Sequence, residues 1–140
     1  MKICVINNFE KECWVELPIN LVELKEELGE DIEIGLYRIK AYELPFDVSE
    51  DISLFKLNKY YEVVTEMNVK IPTLNQELRG IINKWFEDIE DFIQNKDKII
   101  YCSGEEMEAI FKHLIEKYEY DLNQAKSYLI TKNGIYYYKD

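Results

Sequence analysis

Apolar positions along this chain switch between two periods. From Lys2 to Ile6 they run almost unbroken, Asn7-Asn8 interrupts them, and Glu12–Leu17 then alternates. In that alternation Cys13, Val15 and Leu17 share one side, and Glu12, Trp14 and Glu16 share the other. The first run fits a short strand and the second a half-buried strand hairpinned to it. Pro18 ends the pair. Asn20, with Glu23 three residues on, is a capping-box signal for a helix over Leu21–Leu28, and Gly29 is its natural stop. After a turn at Glu30-Asp31, Glu33–Glu43 alternates again and predicts a long strand closed by Pro45. Its two sides, with a break at Gly35, are Ile34, Leu36, Arg38, Lys40 and Tyr42 against Tyr37, Ile39 and Ala41.

Helical spacing then takes over. Ser53 or Asp51 caps a helix from about Leu54 to Met67, with Leu54, Leu57, Tyr60, Tyr61 and Val64 on one face. Asn68–Thr73, with Pro72, marks a boundary. Leu74, Leu78, Ile81, Ile82, Trp85, Phe86, Ile89, Phe92 and Ile93 step by three and four and predict one long amphipathic helix over Leu74–Ile93. Gly80 weakens that helix by about 1 kcal/mol relative to Ala. Lys98–Cys102 reads as a strand. Ser103 and Glu106 form a second capping box before the stripe Met107, Ile110, Phe111, Leu114, Ile115 and Tyr118. Lys126–Thr131 and Ile135–Lys139 flank Lys132-Asn133-Gly134, a hairpin signal. The expected architecture is therefore α+β: a small N-terminal three-stranded sheet with two helices, the long helix, and a C-terminal β-α-β-β unit. Divided as domains, this is an acidic α+β unit over 1–70, a helical connector over 71–96 and the small unit over 97–140.

With 140 residues, 47% of them hydrophobic and 32% charged, the chain is long enough to bury a core without metal or disulfides. Its net charge of −11 argues against direct binding of nucleic acid or an anionic membrane and favours a basic protein partner. The charge is concentrated: Glu10–Asp51 holds 13 Asp/Glu and 4 Lys/Arg, a net of −9. Cys4, Cys13 and Cys102 are odd in number and form no C-x-x-C pair, so a reducing compartment is expected. No signal peptide or membrane span is legible, and a cytoplasmic protein is the expectation.

Candidate chemistry is sparse. His113 is the only histidine and falls on the polar side of its predicted helix, and each cysteine sits in an apolar strand pattern. One histidine without a cysteine cluster fits no usual zinc spacing, and no calcium-loop, P-loop, dinucleotide or nucleophile-elbow pattern occurs. Paired carboxylates arise by chance among 28 Asp/Glu and single out no acid–base site. The reading is a non-enzyme with no cofactor and no metal.

The acids themselves carry the signal. Carboxylates three or four residues apart on a helix lie about 5–6 Å apart at Cβ, and those two apart on a strand face about 6.6 Å. Both spacings approach that of successive phosphates. Glu23, Glu26, Glu27, Glu30, Asp31 and Glu33 make one such row on the expected helix and strand. Glu43, Asp47, Glu50 and Asp51 make another, with Glu87, Asp88, Glu90 and Asp91 as an extension. The alternative is a solvated acidic face that serves solubility.

Trp14-Val15-Glu16-Leu17-Pro18 carries a W-x-x-L-P pattern, Leu28-Gly29 ends a short helix, Tyr42-Glu43-Leu44-Pro45-Phe46 follows, and Leu57-Asn58 lies in the next helix. Together these make Trp14–Met67 resemble the ArdA-type antirestriction proteins. That family has D-Y-E-x-P-F where this chain has Ala41 before Tyr42, and nothing after Pro72 matches its motifs. The resemblance implies a non-enzymatic, elongated acidic dimer that imitates bent B-form DNA in the basic DNA-binding groove of a type I restriction–modification enzyme. Trp14, Pro18, Tyr42, Pro45 and Phe46 are then scaffold. Two other readings stand beside it: a DNA mimic aimed at another nuclease (an anti-CRISPR or toxin-immunity protein), and a plain interaction module that dimerises through Tyr60, Tyr61, Trp85 and Phe86.

Overall fold

A computed structural model describes residues 1–119 and 125–139. The chain is α+β, with two three-stranded antiparallel sheets, one built from the N-terminal and one from the C-terminal strands, and five α-helices among the described residues. It divides into two compact units, 1–75 and 76–140. The division falls inside the segment read from sequence as a helical connector.

In the first unit β1 (Lys2–Asn7) lies between β2 (Glu12–Glu16) and β3 (Tyr37–Glu43). Ile3 through Asn7 are all buried, as befits a central strand. Val5 stands opposite Cys13 and Ile39, and Ile3 opposite Val15 and Tyr42. The buried Asn7 side chain donates to the Leu28 carbonyl (2.8 Å), which fixes the end of α1 (Leu21–Leu28) to the sheet. Helix α2 (Leu54–Lys70) buries Leu54, Leu57, Tyr60 and Val64, the expected stripe. Its Asn58 amide brackets the backbone of Ile19, accepting at 2.6 Å and donating at 3.0 Å. Phe46, fully buried, meets the Tyr60 ring edge-on.

Strand β3 differs from its expected form in two ways. It begins at Tyr37, not Glu33, because Gly35 takes φ +76° and the Leu36 N–H turns back to the Asp31 carbonyl (2.8 Å). Alternation cannot detect such a turn when apolar residues fill it. A bulge also leaves Lys40 unmatched, with Cys4 opposite Ala41 and Val5 opposite Ile39. Beyond the bulge the sides exchange, so Tyr42 joins Ile39 on the inner face and Ala41 is exposed.

The second unit contains a further departure. The expected single helix is two, α3 (Leu74–Trp85) and α4 (Ile89–Gln94). Asp88 adopts an extended backbone and accepts the Asp91 N–H (2.8 Å), so its carboxylate caps a new helix. The apolar stripe runs through both helices, which is why spacing alone reads them as one. Leu78, Ile81, Ile82, Ile89, Phe92 and Ile93 are buried.

The second sheet has the order β4 (Ile99–Cys102), β6 (Ile135–Tyr138), β5 (Tyr128–Ile130). Trp85 stacks on Tyr138 (5.7 Å) and its indole N–H donates to the Lys126 carbonyl (2.9 Å). Helix α5 (Gly104–Lys117) precedes the hairpin; Leu114 is its fully buried residue, and the rest of the expected stripe is half-covered or, at Phe111, exposed. The hairpin loop is Thr131–Gly134, where the Thr131 hydroxyl oxygen accepts N–H groups of both Asn133 and Gly134. Gly134 is required by space: a Cβ there would collide with the Tyr101 ring and stand 2.8 Å from the Cys102 carbonyl oxygen.

Exposed Gly80 and buried Gly134 therefore respond oppositely to alanine. At Gly80, mid-helix, a Cβ meets only Leu129 at 3.8 Å, and Gly80→Ala is expected to stabilise by about 0.5–1 kcal/mol. Gly134→Ala is expected to destabilise by about 1–3 kcal/mol through overpacking. Urea unfolding of the two variants checks both signs.

Candidate functional site

Helix α1 starts where the Asn20 side chain accepts the N–H groups of Val22 and Glu23 (3.1 and 3.2 Å). Leu24 and Leu28 are buried, and Gly29 ends the helix at φ +83°. Anchoring that face turns Glu23, Glu26 and Glu27 into solvent, with Glu30 exposed just beyond in a single 3₁₀ turn, Glu30–Ile32. Among the described residues, none of these four carboxylates is held by an ion pair or hydrogen bond.

Local helix physics favours Glu23, in the first turn, but not Glu26 and Glu27. Glu23 with Glu26 or Glu27 makes like-charge pairs at i, i+3 and i, i+4, each costing about 0.2–0.5 kcal/mol. Glu26 and Glu27 also occupy the last turn, where the helix dipole disfavours anions. The rest of the first row is tied down. The half-buried Asp31 accepts the Asn8 N–H (3.3 Å). Glu33 lies in the turn, not on a strand, and binds Lys25 at 2.7 Å. That hydrogen bond, reinforced by the Glu33 charge, raises the Lys25 pKa.

The second set is looser. Glu43 ends β3 and meets Lys2 at 3.5 Å across the sheet. Asp47 accepts the Tyr42 hydroxyl (3.1 Å), and Glu50 and Asp51 are exposed in the loop before α2. The third set belongs to the second unit. Glu87 and Glu90 are exposed there, while Asp88 caps α4 and Asp91 accepts from the Glu87 N–H (3.0 Å) and the Asn95 amide (3.0 Å).

The sequence reading missed Glu16. A groove of about 480 Å³ runs between β2 and α1; its lining includes Trp14, Glu16, Glu23, Glu26 and Glu27 and no Lys or Arg. The signal was present, since alternation turns Glu16 outward beside Trp14, but rows counted along single elements do not join a strand to a helix. The aromatics considered for dimerisation are largely engaged within their own units. Tyr60 is buried against Phe46, and Phe86 meets Phe92 and Tyr138 edge-on.

Elsewhere, burial pushes the Cys4 thiol pKa up, with Glu12 adding to it; burial does the same at Cys102, with Glu106 adding. His113 is exposed on α5. Among the described residues no group of three or more His, Cys, Asp or Glu is placed to hold a metal ion, and no helix is long and apolar enough to cross a membrane. No protein-family model matches the chain, and no curated protein sequence does.

Two outcomes follow. In the native protein at neutral pH, a thiol reagent labels the half-exposed Cys13 first, and Cys4 and Cys102 react only on unfolding; mass spectrometry of timed samples reads the order. Asp88→Ala lowers stability by about 1 kcal/mol through the lost cap, whereas Glu26→Gln with Glu27→Gln leaves stability unchanged or raises it by a few tenths of a kcal/mol, both measured by urea unfolding.

Proposed function

We propose that this protein is a non-enzymatic inhibitor that presents phosphate-like carboxylates to the basic DNA-binding groove of a type I restriction–modification enzyme. The observation that carries the reading is the set Glu23, Glu26, Glu27 and Glu30: exposed and in no ion pair or hydrogen bond among the described residues, with Glu26 and Glu27 in the last turn of α1, where helix energetics oppose them. Surface acids that serve solubility alone have no need to gather at such a cost. The likeness of Trp14–Met67 to ArdA-type proteins points to the same target. Glu50 and Asp51 add exposed carboxylates to the same unit, and a two-fold dimer would double its length.

DNA cleavage by a type I restriction enzyme, with this protein titrated in at two salt concentrations, tests the proposal. Inhibition should weaken steeply with salt and be relieved by excess DNA. At about 0.5–1 kcal/mol per exposed ion pair, converting Glu23, Glu26, Glu27 and Glu30 to Gln should weaken inhibition on the order of 100-fold. Absence of inhibition with the type I enzyme, together with salt-sensitive inhibition of a Cas or toxin nuclease, would move the target while keeping the mimicry. Inhibition indifferent to salt and to the four substitutions would sink the mimicry itself.

A further inference from the structure

The two edges of the first sheet are not equivalent. At β3 the outer edge is engaged: the Ile39 N–H donates to the Glu50 carbonyl (2.7 Å), and the Tyr37 hydroxyl donates to Ile52 (3.2 Å). At β2 the flanking bonds, Asn7 N–H to Lys11 O and Leu17 N–H to Met1 O, set the phase of the ladder. Antiparallel pairs bond at every second residue, so Cys13 and Val15 bond inward to β1. The backbone N–H and C=O groups of Glu12, Trp14 and Glu16 are left facing outward. Among the described residues only the Cys13 thiol reaches these groups, 3.6 Å from the Trp14 carbonyl oxygen.

Exposed strand edges are templates for pairing, and proteins usually blunt them with charged side chains, proline or a bulge. Here the outward-bonding residues are two glutamates and a tryptophan that is 49% exposed. Glu12 is tied to Lys40, but Glu16 faces the groove beside α1 together with Glu23, Glu26 and Glu27. A second copy pairing through β2 would bring two such acid sets together. An extended chain bearing cations would instead complete both the ladder and the charge.

We propose that the β2 edge accepts an extended, Lys/Arg-containing segment of a partner protein as an added strand. Its backbone bonds to Glu12, Trp14 and Glu16. Side chains alternate across a strand, so every second residue, if basic, turns to the face that carries Trp14 and Glu16, and the residues between them turn to the face of Cys13 and Val15. This site borders Glu23, Glu26 and Glu27 of the proposed inhibitory surface but adds the backbone edge of β2, which a DNA-binding groove does not engage.

The test uses the full ¹⁵N-labelled chain and a synthetic peptide of about seven residues, a usual strand length, alternating Lys and Val. Binding should shift the amide signals of Glu12, Trp14 and Glu16 and slow their hydrogen exchange. Methylating alternate backbone nitrogens of the peptide keeps its charge and should abolish binding. Glu16→Pro removes one outward N–H without touching the β1 ladder, and should weaken binding about five- to tenfold, against about twofold for Glu16→Gln. Equal binding by the methylated peptide, no shifts at β2, or concentration-dependent shifts of the same amides without peptide would each overturn the proposal. The methylated-peptide arm decides the matter even if the Pro variant does not fold.

Discussion

Asn7 holds the first unit in the form on which its surface depends. It is the buried polar residue of that core, and both its amide nitrogen and its amide oxygen are hydrogen-bonded. Its amide nitrogen donates to Leu28 at the end of α1, and its oxygen accepts the N–H groups of Phe9 and Lys11 in the β1–β2 turn (both 3.0 Å). One side chain thus ties the hairpin to the helix. A buried amide left unsatisfied costs about 1–3 kcal/mol, so hairpin and helix keep their relation together. That relation sets the acids of α1 beside the edge of β2.

Around this frame the charges are sorted. Three lysines meet acids on or near the sheet: Lys2 with Glu43, Lys40 with Glu12, Lys25 with Glu33. All are substantially exposed, so each contributes little to stability. What they do is neutralise those acids, while Glu23, Glu26, Glu27 and Glu30 stay outside any ion pair among the described residues. Lys2 also lies 5.4 Å from the Trp14 ring centroid, which gives a cation to that ring. The second unit uses acids differently: Asp88 and Asp91 spend their carboxylates on backbone N–H groups at the α3–α4 break. Equal formal charges therefore serve two ends, and hydrogen-bond partners tell them apart.

Most elements of the fold were legible because local chemistry decides them. The α1 boundaries follow from Asn20 and Gly29, the β1–β2 alternation from the pleat, and the C-terminal hairpin from its turn residues. Two errors shared a cause. At Gly35 and again at Asp88, the apolar pattern continued through a backbone that did not. A positive φ in one case and a carboxylate folded onto an N–H in the other broke an element without breaking its periodicity. The bulge at Lys40 was invisible for a related reason: only the partner strand shows that a residue is extra.

For the site the division is similar. The amino-acid sequence by itself determined that acids concentrate in Glu10–Asp51, and that Glu23, Glu26 and Glu27 lie off the buried stripe of one helix, because charge count and helical period are local properties. Only the tertiary structure decided which acids are spent. Glu33 is neutralised by a lysine eight residues away, Asp31 is bound to Asn8, and Glu16 is brought from a strand to the acids of a helix. It also decided which sheet edge is free, since that depends on a loop carbonyl from Glu50 meeting β3. Such pairings join residues distant in sequence, and no period along the chain encodes them.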